Sequence, residues 1–115
     1  LGVQVMAGTD TGNSPVMPYG VLHAHEAEVM VKFGGYTPLE AITASTKDNA
    51  YSVGMEGELG VIESGKLADL LILDADPLED IRVLQGGKHL SAVIKDGRAV
   101  DLQAGLEQEL EVPFP

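Results

Sequence analysis

Val3-Gln4-Val5-Met6-Ala7-Gly8-Thr9-Asp10 opens the chain almost at its first residue, and its partner motif, Gly60-Val61-Ile62-Glu63-Ser64-Gly65-Lys66-Leu67-Ala68-Asp69-Leu70, follows about fifty residues later. Residues 3–7 are apolar on both faces apart from Gln4, the pattern of a strand covered on both sides in a parallel sheet. Parallel α/β barrels build their active sites on the loops at the carboxyl ends of such strands, and a carboxylate there is placed for metal binding or proton transfer. Asp10 stands at that position. A parallel strand needs neighbours, and nothing else in the sequence supplies parallel strands, so the chain reads as the tail of a longer protein.

The rest divides by period. Residues 11–20 hold two Pro, two Gly, an Asn and a Ser, which is loop chemistry. A helix is expected over residues 23–33, stopped by Gly34-Gly35. Thr37-Pro38-Leu39-Glu40 spells a capping box with Pro at the first helical position. The helix it starts should run to about Thr46, with a third helix over residues 47–53, capped by Thr46 and ended by Gly54. From Leu59 the pattern turns to strands: residues 59–62 and 67–73 flank Ser64-Gly65, and residues 92–95 and 98–102 flank Asp96-Gly97, a favoured two-residue hairpin turn. A polar loop, residues 74–88, joins the two pairs.

These two halves resemble the C-terminal part of the metal-dependent amidohydrolase superfamily, in the branch of imidazolonepropionase and Xaa-Pro dipeptidase-like enzymes. The resemblance runs from Val3 to Asp101 and rests on Gly8-Thr9-Asp10 after an apolar run and on Gly60-x-Ile62-x-x-Gly65-Lys66-x-Ala68-Asp69-Leu70 leading to Asp76-Pro77. It implies an α/β fold: residues 1–56 as the last strand and helices of a TIM barrel, residues 57–103 as part of a small β-sandwich shared with an upstream segment, and residues 104–115 as an acidic tail. It also implies that Asp10 binds a divalent metal, zinc in first place with one or two ions in the parent enzyme, and takes a proton from the water that the metal activates. The implied activity is hydrolysis of C–N bonds in amides, cyclic amides or dipeptides. A deaminase of the same superfamily and a non-catalytic assembly subunit of the same fold are the alternatives. A homo-oligomeric parent protein is expected. The remaining metal ligands would come from upstream, so the isolated chain should be inactive.

Other polar groups read as structural. His23 and His25 make a His-x-His, but residues two apart on a helix point about 200° around the axis from one another, so one is expected at the site mouth and the other in solvent or capping the helix. Glu26 and Glu28 suit the positive end of a helix dipole. Lys66 and Asp69 belong to the turn, with Asp69 satisfying backbone donors. His89 and the acidic group Asp74, Asp76, Glu79 and Asp80 are expected on the surface, since the latter lack the spacing and central Gly of a calcium loop. The four Met residues, at 6, 17, 30 and 55, suit a core rather than a cofactor.

Composition narrows the partners. Seven basic against 18 acidic residues give a net charge of −11, unfavourable for nucleic acid or an anionic membrane. No apolar run approaches the ~20 residues that span a bilayer. The absence of Cys excludes thiolate ligands and a Cys nucleophile within these 115 residues. Cytoplasm is the default compartment.

Overall fold

The computed structural model describes residues 2–10 and 21–103. The expected loop over residues 11–20 and the acidic tail, residues 104–115, lie outside the described residues. Helix α1 (Val21–Gly34) packs across α2 (Pro38–Thr43), which continues through a π-turn (Ala44–Asp48) into α3 (Asn49–Ser52). The chain then crosses to a three-stranded antiparallel sheet in the order β1 (Leu70–Leu73), β2 (Leu90–Lys95), β3 (Arg98–Ala99). A short 3₁₀ helix, Ile81–Leu84, interrupts the connection between β1 and β2.

The helical half forms largely as the local chemistry dictates. Gly35 takes a positive φ of 74° and ends α1. The capping box is complete: the Glu40 amide donates to Thr37 Oγ1 at 3.3 Å, and the Thr37 amide donates to Glu40 Oε2 at 2.8 Å. The Thr37 amide, and after it the Thr37 hydroxyl donating to Glu40 Oε2 at 2.7 Å, hold the Glu40 carboxyl below its ordinary pKa. Gly54, at φ 71°, closes the helical run as expected: its amide donates to the Tyr51 carbonyl and the Met55 amide to Ala50, the paired bonds of a left-handed helix stop. The third helix departs from expectation. Thr46 does not cap it; its hydroxyl donates to the Ile42 carbonyl at 2.7 Å, as Ser45 does to Ala41 and Thr43 to Leu39, both at 2.8 Å. Such bonds load the helix carbonyls and open the ladder locally, and here the run passes through a π-turn instead of stopping and restarting.

Two expected strands are absent. Residues 3–7 form no ladder, because a strand exists only through a neighbour and none of the described residues pairs with them; Val3 stays 79% exposed. Residues 59–62 are likewise not a strand. Gly60, at φ 92°, lies so close to the helices that a Cβ there would sit 2.7 Å from Ala50 Cβ, 3.0 Å from Lys47 Cα and 3.1 Å from the Thr46 carbonyl oxygen. That seat fixes the segment against the π-turn and α3 and leaves Ile62 90% exposed. The following turn is closed by the Leu67 amide on the Glu58 carbonyl at 2.9 Å and by Lys66 Nζ on the Glu56 carbonyl.

The hairpin is present, although β3 is shorter than residues 98–102. Asp96 and Gly97 both take positive φ, 49° and 73°, the backbone of a type I′ turn. Asp69 is its latch: the carboxylate accepts the Asp96 amide at 2.7 Å and Lys95 Nζ at 2.5 Å. The Lys95 bond, then the Asp96 amide, lower its pKa. Asp69 therefore does satisfy a backbone donor, in the hairpin rather than in the turn at Gly65. β1 pairs with β2 from Leu70 opposite Ile94, with a bulge between Ile72 and Leu73.

The main core is small and crosses between the halves. Ala27 and Met30 of α1, Ala41, Ala44 and Ile81 form one buried cluster, with Ala7 and Tyr36 packed against it. Ile81 lies inside the stretch expected to be a polar loop. Asp76 turns the chain there by accepting the Leu78 amide at 2.8 Å, and Asp80 caps the 3₁₀ helix by accepting the Arg82 amide at 3.0 Å. Local capping thus delivers one apolar side chain inward while the acids stay at the surface.

Arg82 also grips Asp80 through its guanidinium at 2.7 Å, and this bond, with the Arg82 amide, lowers the Asp80 pKa to about 2. Because the folded value lies below the ordinary 3.8, the pair's contribution is present above that ordinary value and is lost as pH falls through about 2. The Asp80 carboxyl carbon should titrate near 2 by NMR, and Arg82→Met should return the midpoint toward 3.8. A midpoint at the ordinary value with Arg82 intact would mean that the pair does not persist in solution.

Candidate functional site

Asp10 lies at the end of a segment tied to the helices at two points. Gln4 Nε2 donates to Asp48 Oδ1 at 2.8 Å, and Asn49 Nδ2 donates to the Ala7 carbonyl at 3.0 Å. Ala7 is half-buried against the core, and three residues later the backbone turns left-handed at Asp10, φ 48°, with the carboxylate exposed. Asp tolerates that conformation better than most residues because its short side chain bonds locally.

A cleft of about 290 Å³ adjoins this segment, lined by Ala7, Gly8, Thr9, His23, Glu26, Ser45 and Asn49. Three elements meet there: the segment before Asp10, the start of α1, and the π-turn with the first residue of α3. The lining is mixed, with a carboxylate, an imidazole, hydroxyls and an amide around a small apolar floor. A second cleft, of about 360 Å³, lies between Val3 and Val5 on one side and Tyr36, Leu39 and Thr43 on the other. It marks an apolar flank of the same segment.

The two His residues part company as the helical geometry requires. His23 lines the cleft, whereas His25 Nδ1 lies 3.2 Å from Glu28 Oε2. Glu28 also accepts Gln85 Nε2 at 2.8 Å, and this bond, ahead of His25, lowers its pKa. Glu26 and Glu28 do not complement the helix dipole, because α1 starts at Val21, not His23, and its first turn carries no acid. Lys66 and Asp69 are engaged in their turns. His89 is paired, its Nδ1 lying 2.7 Å from Asp74 Oδ1. Met30 is in the core while Met6 and Met55 are partly exposed, at 41% and 37%; Met17 lies outside the described residues.

Among the described residues no group of three or more His, Asp or Glu side chains converges to hold a metal ion. Asp10 offers one exposed carboxylate, a donor suited to a divalent ion, and a catalytic site takes about three protein ligands. The donor set of these residues therefore fits a contribution to a metal site rather than a whole one. Asp48 and Asn49, which hold the Asp10 segment, were not singled out by sequence. Their signal was faint but physical: consecutive Asp and Asn inside a helical run compete with the helix for hydrogen bonds and call for a tertiary partner.

The amidohydrolase family matches residues 1–100. The chain is similar to ochratoxinase of Aspergillus niger, 41% identical over 98 residues, covering 84% of this chain and 19% of that protein. It is 35% identical over 107 residues to imidazolonepropionase of Geobacillus kaustophilus (strain HTA426), covering 86% and 23%. Among solved structures, a Xaa-Pro dipeptidase with methionine bound in its active site superposes with a TM-score of 0.73 and 38% identity, over 87% of this chain and 23% of that one. The chain thus spans about a fifth of the length of the curated relatives it matches. Among the described residues no helix is long and apolar enough to cross a membrane.

Proposed function

The chain belongs to the amidohydrolase family, and on that premise we propose that it is the C-terminal portion of a metal-dependent hydrolase that cleaves C–N bonds in small amides, cyclic amides or dipeptides. The observation that carries this reading is Asp10, exposed at a left-handed turn beside a cleft of mixed lining, at the end of a segment pinned to the helices. The names of the relatives support the substrate class: one is a Xaa-Pro dipeptidase and another an imidazolonepropionase. In the same reading residues 3–7 join a TIM barrel as its last strand, which accounts for their exposed apolar side chains, and the sheet, with Leu71 and Ile72 exposed on it, joins a β-sandwich completed by other strands. The whole protein would be a homo-oligomer and cytoplasmic.

In this mechanism Asp10 would hold a divalent ion, zinc in first place, together with ligands from other parts of the protein. The ion, when bound, supplies Lewis-acid polarisation and acidifies water. Asp10 takes a proton on a carboxylate oxygen from the attacking water and passes it to the departing nitrogen, so that the amine leaves neutral. The Asn49 amide holds the backbone that carries this carboxylate. His23 and Glu26 border the space in which the substrate's polar end would lie.

Chelation of the full-length protein should abolish hydrolysis of Xaa-Pro dipeptides and N-acyl amino acids, and zinc should restore it. Undiminished hydrolysis by metal-free protein, verified by elemental analysis, would refute the metal-dependent reading. The isolated 115-residue chain should show no turnover.

A further inference from the structure

Asn49 is placed where a helix would not choose it. Asn is a poor interior residue because its amide competes for backbone groups, yet it stands at the junction of the π-turn and α3. Its side chain is committed: Nδ2 donates to the Ala7 carbonyl at 3.0 Å and lies 3.4 Å from the Ser45 carbonyl, one turn back, in a part-buried setting. The neighbouring tie, Gln4 to Asp48, is exposed and therefore weaker in competition with water. Between Ala7 and Asp10 lie only Gly8 and Thr9. The Ala7 carbonyl is thus an anchored, half-buried point immediately before the left-handed turn at Asp10.

We infer that Asn49 is a positioning residue for Asp10: through the Ala7 carbonyl it fixes where the Asp10 carboxylate stands relative to the reacting groups. This rests on the role of Asp10 proposed above. The π-turn has a purpose in this arrangement, since it sets the register in which Asn49 faces the segment from the helix while Ser45 and Asn49 both line the cleft. A carboxylate that moves protons tolerates little displacement, and misplacement by about 1 Å can cost about 10²-fold in rate.

The test is a double-mutant cycle in the full-length protein with a dipeptide substrate. Asn49→Ala and the isosteric Asn49→Asp, which cannot donate to the carbonyl, should each lower kcat by about 10- to 100-fold with KM changed by less than about threefold. In an Asp10→Asn background the same substitutions should cost less than about threefold, because groups that act as a unit are non-additive. A purely structural role would give equal losses in both backgrounds, and that result overturns the inference, as does wild-type kcat in either Asn49 variant. Urea denaturation monitors folding; if Asn49→Ala does not fold, Asn49→Asp carries the test, and loss of folding in both marks Asn49 as structural and also overturns it. Near wild-type turnover by Asp10→Asn alone would instead remove the underlying reading of Asp10, whereas a damaging Asp10→Asn with additive Asn49 losses removes only this one.

Discussion

Asp10→Asn should lower kcat of the proposed full-length hydrolase by about 10²- to 10⁴-fold, the range of a lost general acid–base group, with little change in its urea midpoint. The substitution is chosen for what it leaves alone. Asn has the size of Asp and tolerates a positive φ about as well, so the 48° turn and the bonds at Ala7 and Gln4 survive. What disappears is the charge and the ability to accept a proton. Metal content, measured alongside, would separate loss of a ligand from loss of a base. Turnover within a few-fold of wild type on a genuine substrate would remove Asp10 from the mechanism.

The largest stability effect should fall on a residue with no chemistry. Gly60→Ala would drive a methyl group to 2.7 Å from Ala50 Cβ and 3.0 Å from Lys47 Cα, at φ 92°. Two costs add: backbone strain for a residue with a Cβ and overpacking against backbone that cannot swing aside. Together they come to roughly 2–6 kcal/mol, a large share of the roughly 5–15 kcal/mol typical of a folded domain. Gly65→Ala is the control, since Gly65 shares the positive φ, 89°, but a Cβ there meets nothing within 4 Å. Chemical denaturation of both variants should show the Gly60 change costing clearly more. Equal costs would reduce the argument to backbone strain.

Elements whose determinants are local were legible in the sequence. The capping box at Thr37, the stops at Gly35 and Gly54 and the Asp96-Gly97 hairpin each need only a few neighbouring residues, and each is found where expected. Elements that depend on distant partners were not. Residues 3–7 have the composition of a buried strand, but a ladder requires another strand, and none of the described residues supplies one. Residues 59–62 are apolar enough to read as a strand, yet Gly60 is taken up by a close approach to Ala50 that only the folded helices define. Ile81 was hidden among acids because its burial follows from the turns made by Asp76 and Asp80. At the site, Asp10 could be singled out because a carboxylate after an apolar run has a known structural use, whereas Asn49 acquires its meaning only through a carbonyl 42 positions away in sequence.

Ile81 sits in the cluster formed by Ala27, Met30, Ala41 and Ala44, and Gln85, the residue that follows the same short helix, reaches Glu28. Opening that helix would therefore expose the inner face of α1, and α1 cannot open without uncovering Ile81. Local fluctuations of the two are tied into one cooperative unit. In native-state hydrogen exchange the amides of Val83 and Met30 should exchange with a common opening free energy and a common dependence on denaturant, even though one residue lies in a single turn of 3₁₀ helix and the other in the longest helix among the described residues.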